Sequence, residues 1–330
     1  MKIAIIGSGA YGLAMTKVLS ENPLNELIIW TESSENIPKL KDSEYLNKII
    51  PGYQLPKGIK ITDSYEKALK NIDIIFIMVA AQYVGKVAYE MKKYYEKNMH
   101  IVLCSKGIDQ ESLDFVSEVV LKHIQTKKLA VLSGPSFAVD MAAGEPVGLA
   151  KATLSRKTKK ALKEIFKDST VKLHYTDDIL GIEICGSIKN VIAIASGMIA
   201  GMGYSESTQV FLINEALHDI KVLIKHLGGN PRSILSFAGV GDLLLTCSSK
   251  KSRNYSLGFI IGSKSLAEGE KYLKNNTVEG YYTVKSIYAL IRRKRIKIPI
   301  INTIHRILIH GEDPSILIDY LMTKNKKPKE

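Results

Sequence analysis

The first thirty residues leave few folds open. Ile3 to Ile6 is an apolar run with no turn signal, the pattern of a strand buried on both faces. It runs into Gly7-x-Gly9-x-x-Gly12, Leu13 to Leu19 reads as a helix, and Leu27 to Trp30 forms a second apolar strand. These pieces fit within the length of one βαβ unit. In such a unit Gly7 permits the tight turn, Gly9 lets the backbone approach a pyrophosphate, and Gly12 lets helix and strand pack closely. The N–H groups and positive dipole end of the helix then hold the phosphates. Glu32 lies twenty residues past Gly12, where a carboxylate accepts hydrogen bonds from an adenosine ribose. A dinucleotide-binding domain is the expectation.

Composition narrows the rest. At 330 residues the chain is long enough for two domains, each with its own core. Three widely spaced cysteines, Cys104, Cys185 and Cys247, suggest reduced thiols rather than disulfides or a zinc site. No metal is expected. A lysine precedes the opening apolar stretch, but the glycines interrupt it and no small-residue cleavage site stands out. The chain therefore reads as cytoplasmic. Lys and Arg number 46 against 33 Asp and Glu, a formal charge of +13. The excess lies in faces such as Arg156-Lys157-Thr158-Lys159-Lys160 and in the tail Lys324 to Lys329. Runs of this kind are usually solvated, so a nucleic-acid partner is not expected, whereas a positive field favours anionic small substrates. The apolar segment Val191 to Met202 is about 18 Å of helix, too short to span a bilayer.

Strand candidates recur at βαβ spacing after a loop-like region, Ser33 to Lys60. They are 73–79, 100–104, 129–132, 147–150 and 171–175, with helical stretches 83–97 and 113–123 between them. Alternating strands and helices imply a mostly parallel sheet. From Ile179 onward only helical patterns appear, at 179–202, 209–227, 282–295 and 300–309. The expected architecture is α/β: a Rossmann-like domain over 1–178 with a mostly parallel sheet, then an all-helical substrate domain over 179–330.

Four polar clusters interrupt apolar or glycine-rich surroundings. Lys189 and Asn190 sit in an apolar helix, where an unpaired lysine is costly and burial moves its pKa into a useful range. A lysine snorkelling to solvent is the alternative. Asp242 follows Gly239-Val240-Gly241, either as a site carboxylate or as a helix cap. Ser252-Arg253-Asn254 gathers a hydroxyl, a guanidinium and an amide suited to a phosphate, though a plain loop would pass. Lys106 follows a strand whose carboxyl end should face the cofactor.

Together these residues resemble one family, the bacterial-type NAD(P)-dependent glycerol-3-phosphate dehydrogenases. The resemblance runs from Lys2 to about Leu317. It is carried by seven motifs in order: GxGxxG at Gly7, Ser-Lys-Gly at 105–107, Ser-Gly-Pro-Ser-Phe-Ala at 133–138, Lys-Asn at 189–190, Gly-Val-Gly-Asp at 239–242, Ser-Arg-Asn at 252–254 and Val-Glu-Gly at 278–280. It implies reversible hydride transfer between NAD(P)H and dihydroxyacetone phosphate, giving sn-glycerol 3-phosphate, a phospholipid backbone precursor. By this resemblance Lys189 is the catalytic lysine, stabilising and protonating the C2 oxygen. Lys106 is shared between substrate and cofactor, and Gly134, Ser136, Asn190, Asp242, Ser252, Arg253 and Asn254 hold the substrate. Gly7, Gly9, Ala10, Tyr11, Gly12, Glu32, Ala138, Arg253, Val278 and Glu279 meet the cofactor. A homodimer is also expected, as is closure of an interdomain cleft on binding.

Departures matter too. Ala10 replaces a common serine and loses a side-chain donor near the pyrophosphate. Thr31-Glu32-Ser33 places a carboxylate where the family often has a basic residue, so NAD(H) is the preferred cofactor, with NADP(H) left open. Ala80 and Asn214, standing for a usual proline and a frequent arginine, have no functional account. Competing readings are a ketopantoate reductase or 3-hydroxy acid dehydrogenase, and a catalytically silent NAD-sensing protein.

Overall fold

A computed structural model describes residues 1–323. The basic tail from Lys324 lies outside the described residues. Eight strands form one sheet: β1 Lys2–Ile6, β2 Glu26–Trp30, β3 Lys60–Thr62, β4 Ile74–Ile77, β5 His100–Leu103, β6 Leu129–Ser133, β7 Val147–Ala152 and β8 Val171–Thr176. Their order is β3-β2-β1-β4-β5-β6-β7-β8. Only the β6–β7 pair is antiparallel. The central strands are buried on both faces, as continuous runs such as Ile74–Ile77 require. The mostly parallel Rossmann-like sheet and the helical second half are thus both present.

The chain divides into two compact units, Met1–Ser105 with Val116–Ile179, and Lys106–Phe115 with Leu180 onward. The first contains all eight strands. In the second, the helix Ile179–Gly201 is buried along 19 of its residues, from Gly181 to Ile199. With 23 residues it is long and apolar enough to cross a membrane, and 89% of its most apolar window is buried inside the protein. The apolar segment Val191–Met202 is therefore only part of a longer helix, and burial identifies that helix as a core helix.

Glycines let a second helix, Arg253–Ser263, cross it at close range. A Cβ on Gly197 would collide with the Tyr255 carbonyl, and one on Gly258 with the Ile194 carbonyl. Backbone-to-backbone packing of this kind admits no side chain. It also seats the first turn of the second helix beside Asn190.

Some boundaries differ from the sequence pattern. The region 33–60 carries two short helices, Asn36–Lys39 and Ser43–Ile49, the latter capped by Asp42 accepting from the Tyr45 N–H at 2.7 Å. Leu40, Leu46, Ile50 and Tyr53 from this region are buried. β3 is three residues long and too short to show alternation. The second half also holds Asp242–Cys247, Leu266–Asn275 and Ile316–Thr323 as helices.

Candidate active site

In the sheet unit the three glycines behave as their geometry requires. Gly7 has φ +121°, and a Cβ there would lie 2.9 Å from the Met78 carbonyl oxygen; one on Gly12 would collide with the Gly7 carbonyl. Gly9 has nothing within 4 Å of its would-be Cβ, so its open side can admit a ligand. It caps the helix Ala10–Leu19 without a side-chain hydrogen bond, and no acidic residue stands in the first turn. The leading N–H groups and the dipole there suit a pyrophosphate. These features fit a dinucleotide.

Around that turn, the Ser8 hydroxyl donates to Thr31 Oγ1 at 3.0 Å, and the Tyr11 and Ser136 hydroxyls are 3.0 Å apart. Ser136 Oγ also donates to the Gly134 carbonyl at 3.2 Å. Glu32 is exposed just past β2. Ala138 opens the short helix Ala138–Ala142. Gly134 has a packing reason of its own, since a Cβ would lie 2.7 Å from the Gly148 carbonyl oxygen.

The helical unit holds the charged centre. Lys189 is only 7% exposed and Asp242 1%. Lys189 Nζ donates to Asp242 Oδ1 at 2.5 Å and to Thr246 Oγ1 at 2.9 Å. Lys106 Nζ donates to the other carboxylate oxygen at 2.8 Å. One carboxylate thus bridges two ammonium groups. Asp242 opens the helix Asp242–Cys247 but makes no capping bond, so its side chain serves the lysines. Lys189 does not snorkel.

Burial lowers the Lys189 pKa to about 8, helped by the Lys106 charge and opposed by Asp242 and Glu279. Burial alone would raise that of Asp242, but Lys106 and Lys189 together hold it below its ordinary value. Asp242 is therefore an anion at neutral pH, and Lys189 an ammonium readier than usual to give up its proton. Thr246, one turn on, donates to the Asp242 carbonyl at 2.6 Å. The sequence reading did not select it; its only signal was a hydroxyl four residues after the aspartate.

Beside this centre runs an amide chain. Asn190 Nδ2 donates to Glu279 Oε2 at 3.2 Å, Asn254 Nδ2 to Asn190 Oδ1 at 3.0 Å, and the Gly280 N–H to Asn254 Oδ1 at 2.8 Å. Val278, fully buried, caps the helix Glu279–Arg293. Burial raises the Glu279 pKa, while Lys106, Arg253 and Lys189 pull it back down. Ser252 caps the helix Arg253–Ser263 by accepting from the Tyr255 N–H at 3.3 Å. Arg253 is exposed at its first position, free of the core and able to reach an anion.

Lys106, Lys189, Asn190, Asp242, Ser252, Arg253, Asn254, Val278 and Glu279 thus belong to the helical unit. Gly7, Gly9, Ala10, Tyr11, Gly12, Glu32, Gly134, Ser136 and Ala138 belong to the sheet unit. Ala80 stands before a short turn and Asn214 is exposed; nothing in the structure explains either departure. Among the described residues, no group of three or more His, Cys, Asp or Glu side chains could hold a metal.

Two family models match: the NAD-dependent glycerol-3-phosphate dehydrogenase N-terminus over residues 2–161, and the C-terminus of the same family over residues 178–319. A glycerol-3-phosphate dehydrogenase [NAD(P)+] of Agathobacter rectalis is 32% identical over 328 residues, covering 99% of this chain and 97% of the relative. The crystal structure of glycerol-3-phosphate dehydrogenase from Coxiella burnetii superposes with a TM-score of 0.91 at 28% identity, covering 97% of this chain and 98% of that one. A ketopantoate reductase from Ralstonia eutropha reaches a TM-score of 0.60 at 12% identity, covering 98% of this chain and 100% of that one. That second likeness shows the fold alone.

Proposed function

Since the chain belongs to the NAD-dependent glycerol-3-phosphate dehydrogenase family, we propose that its Lys189 protonates the C2 oxygen when dihydroxyacetone phosphate is reduced to sn-glycerol 3-phosphate. The enzyme is an NAD(P)-dependent oxidoreductase. The observation that carries the catalytic assignment is the bridged pair, Lys189 and Lys106 on the two oxygens of Asp242.

NADH, when bound, would supply the hydride that C2 receives. Reduction builds negative charge on the C2 oxygen, and the Lys189 ammonium stabilises that charge and then transfers a proton from Nζ to it. A pKa of about 8 keeps the group protonated at neutral pH while easing the transfer. Asp242 stays ionised throughout and holds Nζ in place, and the resulting amine regains its proton from solvent. In the oxidative direction the neutral amine accepts the hydroxyl proton.

Lys106 adds a second positive group near the reacting oxygen and the cofactor. Asn190 and Asn254 orient the substrate hydroxyls, their amides fixed by Glu279 and the Gly280 N–H. Arg253, exposed and rich in donors, takes the substrate phosphate with Ser252 and Asn254. In the sheet unit, Gly7, Gly9, Ala10 and Gly12 hold the pyrophosphate through backbone N–H groups, and Glu32 holds the ribose. Gly134 and Ser136 complete the substrate contacts, and Tyr11, Ala138, Val278 and Glu279 those to the cofactor. The reading includes a cytoplasmic homodimer whose product feeds phospholipid backbone synthesis.

The test is steady-state loss of NADH absorbance with dihydroxyacetone phosphate, set against ketopantoate. Turnover with the phosphorylated ketone alone supports the reading. Turnover with ketopantoate alone would overturn it, because Arg253 would then have no phosphate to meet. Light scattering in solution checks the dimer.

A further inference from the structure

Far from the charged centre in sequence, Lys151 lies in β7 with only 5% of its surface exposed. Its Nζ donates to the Lys159 carbonyl over a long 3.5 Å. A buried ammonium normally has a carboxylate partner, because losing its water is costly. Here the neighbouring charges are more cations. Burial lowers the Lys151 pKa, and Lys159 and Lys163 lower it further. Among the described residues no ion pair holds any of these three lysines.

The surroundings are built in one corner of the sheet unit. Tyr175 of β8 is the register partner of Lys151, and the Lys159 ammonium rests 3.3 Å from the centroid of its ring. Lys159 and Lys163 are four residues apart in the helix Arg156–Ile165, hence on one face. β8 ends the sheet, and Tyr175 is 47% exposed, so the corner opens to solvent on that side. One ammonium group rests on the aromatic ring, a second is buried on the neighbouring strand at the same register, a third adds to the field, and no carboxylate balances them.

We propose that this corner is a binding site for a phosphate-type oxyanion, held by the ammonium groups of Lys151 and Lys159 with Lys163 strengthening the field. A multiply charged oxyanion supplies the missing countercharge and several acceptors at once, which suits compact ammonium donors. The site is built wholly from residues of the sheet unit and does not depend on the assignment of Lys189.

The test starts from Arg253→Ala, which removes the phosphate contact proposed at the reaction centre. Inorganic phosphate is titrated against chloride at equal ionic strength, and the thermal midpoint and the heat of binding are read. The expected result is a saturable rise of the midpoint with phosphate, abolished by adding Lys151→Met. Methionine keeps the apolar stem and removes the lone charge, so this variant should melt no earlier than its parent. In an otherwise wild-type background, Lys151→Met should leave turnover with dihydroxyacetone phosphate unchanged. A second arm uses vesicles of phosphatidylcholine with phosphatidylglycerol, against phosphatidylcholine alone. Pelleting with the anionic vesicles that Lys151→Met abolishes assigns the same site to a lipid headgroup. No response to either anion, or a response that Lys151→Met retains, overturns the proposal.

Discussion

Replacing Asp242 by asparagine tests the charge logic of the centre most sharply. The side chain keeps an oxygen of similar reach, but the anion 2.5 Å from Lys189 Nζ is gone. At an effective dielectric near 20, a charge pair at ~4 Å is worth about 4 kcal/mol, and one pKa unit corresponds to ~1.36 kcal/mol. The Lys189 ammonium should therefore become much easier to deprotonate. Its pKa should fall below about 8, with the Lys106 charge still pushing in the same direction. On the proposed mechanism the ammonium is the active form in ketone reduction, so the alkaline limb of the pH–rate profile should move to lower pH. The variant should therefore carry much less of the charged form than wild type near neutral pH, and the deficit should shrink in acid. The rate should fall by roughly a hundredfold or more near pH ~7.5, within the roughly thousandfold that about 4 kcal/mol allows, and much less at pH ~5.5. The assay is kcat/KM for dihydroxyacetone phosphate across that range, with folding checked by circular dichroism, because breaking a buried pair costs about 3–5 kcal/mol. A loss of equal size at both pH values would refute the reasoning and leave Asp242 as a contact rather than a setter of charge.

Three further outcomes follow from named groups. Glu32, exposed beyond β2, should give NADH a kcat/KM advantage of at least ~10-fold over NADPH, about 1.4 kcal/mol; Glu32→Ser should narrow it, and a wild-type preference for NADPH would contradict the assignment. A Cβ on Gly280 would lie 2.5 Å from the Asn190 carbonyl oxygen and 2.7 Å from Asn254 Oδ1. Gly280→Ala should thus raise KM for the phosphorylated ketone by about tenfold, roughly one lost hydrogen bond, with kcat less affected; an unchanged KM would remove the amide chain from substrate binding. Lys189→Met should keep the thermal midpoint within a few degrees of wild type, because Lys106 still partners Asp242; collapse of the fold would show that the pair is structural.

How much of this could be read from the residues alone depended on how local each constraint is. Gly7, Gly9 and Gly12 act through backbone geometry within a dozen residues, so their spacing carried the meaning. Lys189 stood out because a cation in an apolar helix needs a reason. Its partner Asp242 lies 53 residues away, and only the resemblance linked them. Thr246 was passed over because a hydroxyl in a short helix is ordinary until its neighbour is known. The amide chain from Asn190 to Asn254 depends on two helices crossing at Gly197 and Gly258, and glycines within helical patterns do not announce which backbone they approach. β3 was missed because three residues show no period. Lys151 escaped notice because the apolar pattern of β7 stops at Ala150, whereas pairing with β8 extends the strand to Ala152.

The central claim is that Lys189 moves the proton at the C2 oxygen. Its most direct test is kcat for NADH-dependent reduction of dihydroxyacetone phosphate by wild type and Lys189→Met, at saturating substrate and neutral pH. The account predicts a fall of roughly a hundredfold or more, the usual scale for removing a general acid, in a protein that stays folded. Turnover undiminished in Lys189→Met would contradict it and shift the proton to another group.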